Sequence, residues 1–248
     1  MRTFSYLRLL SFVAVFFLHY PASAMEFNIV GSTLVLSGTV VDTDLAKIRD
    51  SLDASKVKLI VLHNNIGGDL ISVLRIGEII RDSGIPTTIS SPCMSGCGLL
   101  FLGGKTRTFS DAKEIDQMAI GLQGAIDREG KQVLTTYSPQ IARYISSMTE
   151  GKYPDDLMQK TLFAKSPNTS VIIFHPKMFT FIGPPGKKGI SECTLSIKDN
   201  VKPTDAKPPD IDSKCSIYKD QNAISTGIIT SVDLTELDTE VKEFISNK

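Results

Sequence analysis

Val57-Lys58-Leu59-Ile60-Val61-Leu62-His63 is followed by Asn64-Asn65-Ile66-Gly67-Gly68, and then by Asp69. The first segment is a nearly continuous apolar run, the pattern of a strand buried on both faces of a parallel sheet. The second predicts a turn. After Asp69, Leu70, Val73, Leu74, Gly77 and Ile80 fall on one helical face, and Gly84 and Pro86 end that helix. Strand, glycine turn and helix together predict an α/β domain with parallel pairing.

The same logic repeats downstream. Thr87 to Ser90 reads as a strand that runs into Ser91-Pro92-Cys93-Met94-Ser95-Gly96-Cys97. Gly98 to Leu102 is apolar throughout and predicts a short buried helix opening at Ser95. Strands are expected at Phe27 to Val30, Thr33 to Leu36, Thr106 to Phe109, Met118 to Leu122 and Val171 to Phe174. Helices are expected after an Asp42 or Thr43 cap through Leu52, at Pro139 to Met148 and at Tyr153 to Phe163. A short helix is expected from Pro176, a helix-to-strand turn over Ala223 to Thr230, and a terminal helix over Val232 to Phe244. Residues 198 to 214 are rich in Lys, Pro and Asp and read as a surface loop.

The beginning of the chain reads differently. Arg2 and Arg8 precede the apolar run Leu9 to Leu18, and the segment closes on Pro21-Ala22-Ser23-Ala24. That order of charge, apolar run and small residues is a cleavable secretory signal. Those ten residues, nine of them apolar, fall short of the roughly 20 that span a bilayer. Residues 1–24 are therefore expected to be removed, leaving a single domain over 25–248 that works in a periplasmic or secreted setting without a membrane span. The whole chain of 248 residues balances 27 basic against 27 acidic side chains. Losing Arg2 and Arg8 makes it slightly acidic, which argues against nucleic acid as a partner.

The four cysteines, Cys93, Cys97, Cys193 and Cys215, all follow the signal. An even count in an exported chain points to disulfides. Cys93–Cys97 and Cys193–Cys215 are the expected pairs, the second bracketing the polar loop. The competing reading is a four-thiolate zinc site, but the paired C-x-x-C spacing of such sites is missing. No cofactor and no metal are expected.

Chemistry could sit at the two glycine turns. Amides at Gly67-Gly68 would point outward at the end of a strand and could receive an oxyanion. Ser95, at the first turn of a buried helix with the Gly96 amide beside it, has the layout of a nucleophile elbow. Each has a plain structural alternative: a tight turn at Gly67-Gly68, and an N-capping serine at Ser95.

Taken together the motifs carry a resemblance. Asn65-Ile66-Gly67-Gly68-Asp69, Ile76-Gly77 with Ile80-Arg81, Cys93-Met94-Ser95-Gly96-Cys97, Phe101-Leu102-Gly103-Gly104 with Arg107, and Ile120-Gly121 stand in this order. The set resembles the ClpP/crotonase superfamily, and within it the exported ClpP-like proteins. The match covers residues 26 to 125 well and is looser to about residue 230. The resemblance implies a spiral of β-β-α units, a homo-oligomer and a peptide or protein ligand. It also implies Ser95 as nucleophile, with Gly68 and Gly96 supplying the oxyanion hole.

Two departures bear on mechanism. The position of the family's histidine falls at Gln123, which hydrogen-bonds but takes no proton near neutral pH. The family's acid falls near Pro167 to Ser170, where the chain has no carboxylate, and Asn168 or Thr169 is the expected site of the missing acid. Two histidines follow the signal: His63, read as a structural histidine, and His175, on a segment that could approach the site. The resemblance thus leaves a serine hydrolase with a degenerate triad, weak or inactive, and an active serine peptidase with another base, histidine or lysine. Crotonase-type acyl-CoA chemistry is disfavoured by export and by the lack of a placed acid.

Overall fold

A computed structural model describes residues 24–54, 56–127, 134–163, 169–177, 191–194, 216–217 and 221–248. The expected signal segment up to residue 23, the loop 198–214, the helix from Pro176 beyond residue 177, and Cys215 with its pairing to Cys193 lie outside the described residues.

Two sheets share the strands. The first runs β1 (Glu26–Val30), β2 (Thr33–Val40), β3 (Leu59–Gly68), β4 (Thr87–Ile89) and β6 (Arg107–Phe109), in the order β1-β2-β3-β4-β6. Only β1 is antiparallel to its neighbour; the other pairs are parallel. The second sheet runs β10 (Ser216–Ile217), β9 (Ser191–Thr194), β8 (Thr169–Phe174), β7 (Ala119–Leu122) and β5 (Cys93–Met94). Here β5 and β7 are parallel and the rest antiparallel.

The chain alternates between the sheets. From β4 it passes to β5 in the second sheet and into helix α3 (Gly96–Leu102). It then returns to β6, crosses again to β7 and enters helix α4 (Leu134–Met148). Each strand pair followed by a helix is one β-β-α unit of the expected spiral. Helices α1 (Asp44–Ala54), α2 (Leu70–Ser83) and α5 (Asp155–Leu162) cover the sheets, and α6 (Thr239–Ser246) closes the chain. Among the described residues no helix is long and apolar enough to cross a membrane.

Helix α3 sits at the centre. All seven of its residues are buried, and it packs on α2, β3 and β7. Leu100 and Phe101 meet a core that includes Leu36, Ile60, Leu62, Val73, Ile76 and Ile80. Each such side chain stabilises the fold by about 1.5–3 kcal/mol relative to exposure. An apolar helix of two turns is not stable alone, so the core that surrounds it is what holds it.

Two expectations are corrected. Asn64 to Gly68, expected as a turn, belongs to β3, because β2 continues through Val40 and pairs with it: Gly38 with Asn65, Thr39 with Gly67 and Val40 with Gly68. The register slips there, and Asn64, Gly67 and Gly68 all have positive φ. The terminal helix starts at Thr239 rather than Val232. Residues 230 to 235 run instead along the edge of β6, with Thr230 and Thr235 donating backbone bonds to Arg107 and Phe109. That contact covers an otherwise open sheet edge. Helix α1 starts at Asp44, directly after the expected cap positions Asp42 and Thr43, and the Asp44 carboxylate accepts from the Val41 amide.

Candidate active site

The two glycine turns of the sequence meet in space. A Cβ built on Gly67 would lie 2.6 Å from Gly96 Cα, and one built on Gly96 would lie 2.8 Å from Gly67 Cα and 3.3 Å from Gly68 N. Only glycines allow so close an approach. Gly68 is constrained further: its φ is +148°, and a Cβ there would sit 2.1 Å from the Val40 carbonyl oxygen. The Gly68 amide is therefore held beside the start of α3.

Ser95 stands between β5 and α3 with φ 57° and ψ −125°. A non-glycine residue with positive φ costs on the order of 1–3 kcal/mol and persists only where its surroundings hold it. The Cys93–Cys97 disulfide crosses this turn, with both cysteines buried. The zinc reading of these two cysteines is thereby set aside. Ser95 makes no side-chain bond to the helix amides. It holds the N-cap position, but its hydroxyl does no capping and points elsewhere.

That hydroxyl meets Gln123. Gln123 Nε2 donates to Ser95 Oγ at 3.1 Å, and Ser170 Oγ donates to Gln123 Oε1 at 2.7 Å. The sheet register explains the arrangement. β5 pairs with β7, Cys93 opposite Ile120 and Met94 opposite Gly121, so both strands deliver their next residues to the same end. β8 is antiparallel to β7 with Leu122 opposite Val171, and one further step sets Gln123 opposite Ser170. The residue behind Gln123 is thus Ser170, not Asn168 or Thr169 as expected. Sequence reasoning had the right stretch but not the register that selects within it.

Ser95, Gly68, Gly96 and Gln123 line a cleft of about 920 Å³. Its apolar wall includes Leu70, Ile71, Leu99 and Ile141, and Asp42, Asp69 and Asp127 also line it. Asp69 caps α2 by accepting from the Ser72 amide. Among the described residues no lysine, arginine or histidine lines this cleft. Of its acidic members, Asp69 closes the Gly67-Gly68-Asp69 motif and Asp42 was read from sequence only as a helix cap, while Asp127 carries no local signal in the sequence.

Both histidines are engaged elsewhere. His63 is buried; its Nδ1 is 2.9 Å from Ser90 Oγ, and its Nε2 is 3.0 Å from Asn64 Nδ2. With the Asn64 amide donating, the ring proton sits on Nδ1 and goes to Ser90. Burial lowers this imidazole to about 4, so it stays neutral. His175 accepts from the Lys177 amide at Nδ1 and donates from Nε2 to the Val232 carbonyl, with its ring edge-on to Phe109. Burial lowers its pKa as well. Neither ring lines the cleft, so the histidine expected to approach the site from the 175 segment does not.

The motif arginines are structural. Arg81 donates to the Leu102 and Met148 carbonyls at the ends of α3 and α4. Arg107, buried, donates to the carbonyls of Gly104, Gly227 and Ile228, and burial lowers its pKa to about 10. Both hold chain ends together around the core.

No family model matches the chain, and no curated protein sequence does. Solved structures do align with it. A mutant of the 1510-N membrane-bound stomatin-specific protease, in complex with a substrate peptide, is 11% identical. That alignment covers 86% of this chain and 94% of that one, with a TM-score of 0.44. An enoyl-CoA hydratase from Mycobacterium marinum is 8% identical over 90% of this chain and 80% of its own, with a TM-score of 0.41. Another, from Polaromonas sp. JS666, is 13% identical over 63% and 67%, with a TM-score of 0.38. The succession of β-β-α units across two sheets is the spiral expected from the sequence motifs. That topology, not the alignments, matches the fold implied by the resemblance of the motifs to the ClpP/crotonase superfamily. At such identities the likenesses carry nothing about which side chains act.

Proposed function

We propose that this chain is an exported ClpP-like serine-hydrolase relative that keeps the nucleophile turn and has lost the base, so that it binds in its cleft with little or no peptidase activity. The observation that carries this reading is Gln123, set between Ser95 and Ser170 where a hydrolase needs an imidazole and a carboxylate. A serine hydroxyl is almost wholly protonated at neutral pH and attacks slowly unless a base takes its proton. The Gln123 amide donates to Ser95 rather than accepting from it. Turned over, it would accept a hydrogen bond and still take no proton.

What supports the family reading is the pair of touching glycine turns and the strained serine. Gly68 and Gly96 supply the amides that would face a developing oxyanion. The Cys93–Cys97 disulfide suits an oxidising compartment. Cleavage after Ala24 would leave Met25 first, with its side chain in the core, 2% exposed.

The test is hydrolysis of p-nitrophenyl acetate by the wild type and by Ser95→Ala. The two should be indistinguishable. Turnover that depends on Ser95 would overturn the reading and require another base.

A further inference from the structure

Away from the Ser95 cleft, two arginines stand in contrast to the structural pair. Arg81 and Arg107 are tied to backbone carbonyls. Arg75 and Arg143 are exposed, and neither has a hydrogen bond or ion pair among the described residues. Both line a second groove, of about 540 Å³, between α2 and α4. That volume suits a small ligand or a short piece of chain.

The floor of this groove is held in place. Gly77 on α2 lets Tyr144 of α4 lie across it: a Cβ there would overlap the Tyr144 hydroxyl, which donates to the Leu99 carbonyl at 2.9 Å. Met148, one turn further along α4, is fixed by Arg81, which donates to its carbonyl at 2.7 Å and to its sulfur at 3.2 Å. Leu74 completes this apolar floor, which suits an aliphatic side chain.

The rim decides the ligand's chemistry. Arg75 and Arg143 set two positive charges against one negative, Glu78, and no other charged side chain among the described residues lines the groove. The single positive charge left over matches a monoanion, and a guanidinium pairs with a carboxylate through two parallel hydrogen bonds. Gln140 and Ser147 also line the groove. Their amide and hydroxyl groups can bond a peptide backbone, which an alkyl chain cannot offer. From Ile71 to Glu78 the lined stretch of α2 is about 10 Å long at the helical rise. About three extended residues span that distance.

We propose that the α2–α4 groove is a second binding site, which takes the end of a peptide chain and holds its free C-terminal carboxylate on Arg75 and Arg143, with an aliphatic last residue over the Leu74–Tyr144–Met148 floor. Ile71 lines both this groove and the Ser95 cleft. The site does not depend on whether Ser95 reacts.

The probes are acetyl-Ala-Ala-Leu with a free C-terminus, the same peptide as its C-terminal amide, and octanoate. Each is titrated against the protein by NMR at neutral pH and low salt. The peptide acid should bind about fivefold more tightly than the amide, and the preference should shrink at about 0.5 M salt. Arg75→Gln and Arg143→Gln should each weaken acid binding about two- to threefold, and the double variant should bind acid and amide alike. Glu78→Gln should tighten acid binding about twofold, because it removes the one opposing charge. All three side chains are exposed, so thermal melts of the variants should match the wild type.

Equal binding of acid and amide to the wild type, no binding of either, or an acid preference kept by the double arginine variant would each overturn the proposal. Octanoate bound more tightly than the peptide acid, with the same dependence on both arginines, would overturn the peptide as occupant.

Discussion

Two polar clusters in this molecule each join a serine to a nitrogen-bearing side chain. In the cleft, Ser95 meets an amide, Gln123, backed by a second serine. Under the sheet, Ser90 meets an imidazole, His63, backed by Asn64. The first has a strained serine in the cleft wall and, among the described residues that line the cleft, no histidine or lysine beside it. The second has a base, but its serine is fully buried and does not line the cleft. Nucleophile chemistry needs both halves at one place, and the fold separates them. The imidazole is also spent: burial lowers it to about 4, and both ring nitrogens are bonded.

The sharpest way to break this contrast is to give the cleft what it lacks. In Gln123→His/Ser170→Asp, the imidazole faces Ser95 and the carboxylate stands at the position opposite it in the sheet. Fluorophosphonate labelling of Ser95 should rise about 10²–10⁴-fold over the wild type, the usual contribution of general base catalysis. Gln123→His with an aspartate at Asn168 or Thr169 should gain far less, because the β7–β8 register sets Ser170 opposite Gln123. Equal gains from either placement would refute the register argument.

A second prediction concerns the turn that holds Ser95 in place. Gly68→Ala forces a Cβ against the Val40 carbonyl at a φ of +148°. The fold should lose about 3 kcal/mol or more, read from urea midpoints. A loss under about 1 kcal/mol would mean that β2 and β3 yield at this point, and that the close approach is not required.

The third prediction tests the buried cluster. His63 has an ordinary pKa of 6.5 when exposed and about 4 in the fold, so the unfolded chain binds more protons between those values. Stability should therefore fall as the pH drops from about 6.5 to about 4, by about 1–3 kcal/mol from this group. His63→Gln should flatten that part of the profile, measured by denaturant titration across the window. An unchanged slope in the variant would show that His63 is not the group responsible.

Much of this was legible in the sequence because the signals were local. The apolar run at Leu59 to Leu62, the helical face after Asp69 and the wholly apolar α3 each carry their own period. The cysteine pair four residues apart spans a single turn. What was not legible depended on partners far along the chain. Asn64 to Gly68 looks like a turn until β2 pairs with it. Val232 and Leu234 look helical until the segment is tied to β6. Ser170 is unremarkable until the β7–β8 register sets it opposite Gln123. Register is decided by the whole sheet, so no window around residue 170 could select it from its neighbours.

The central claim is that Ser95 has its turn but no base. Its most direct test is intact-mass and peptide-level mass spectrometry of the wild-type protein after fluorophosphonate treatment at neutral pH, beside Ser95→Ala. The account predicts no adduct at Ser95 and identical spectra for the two proteins apart from the substitution itself. A stoichiometric adduct on the wild type that disappears in Ser95→Ala would contradict it.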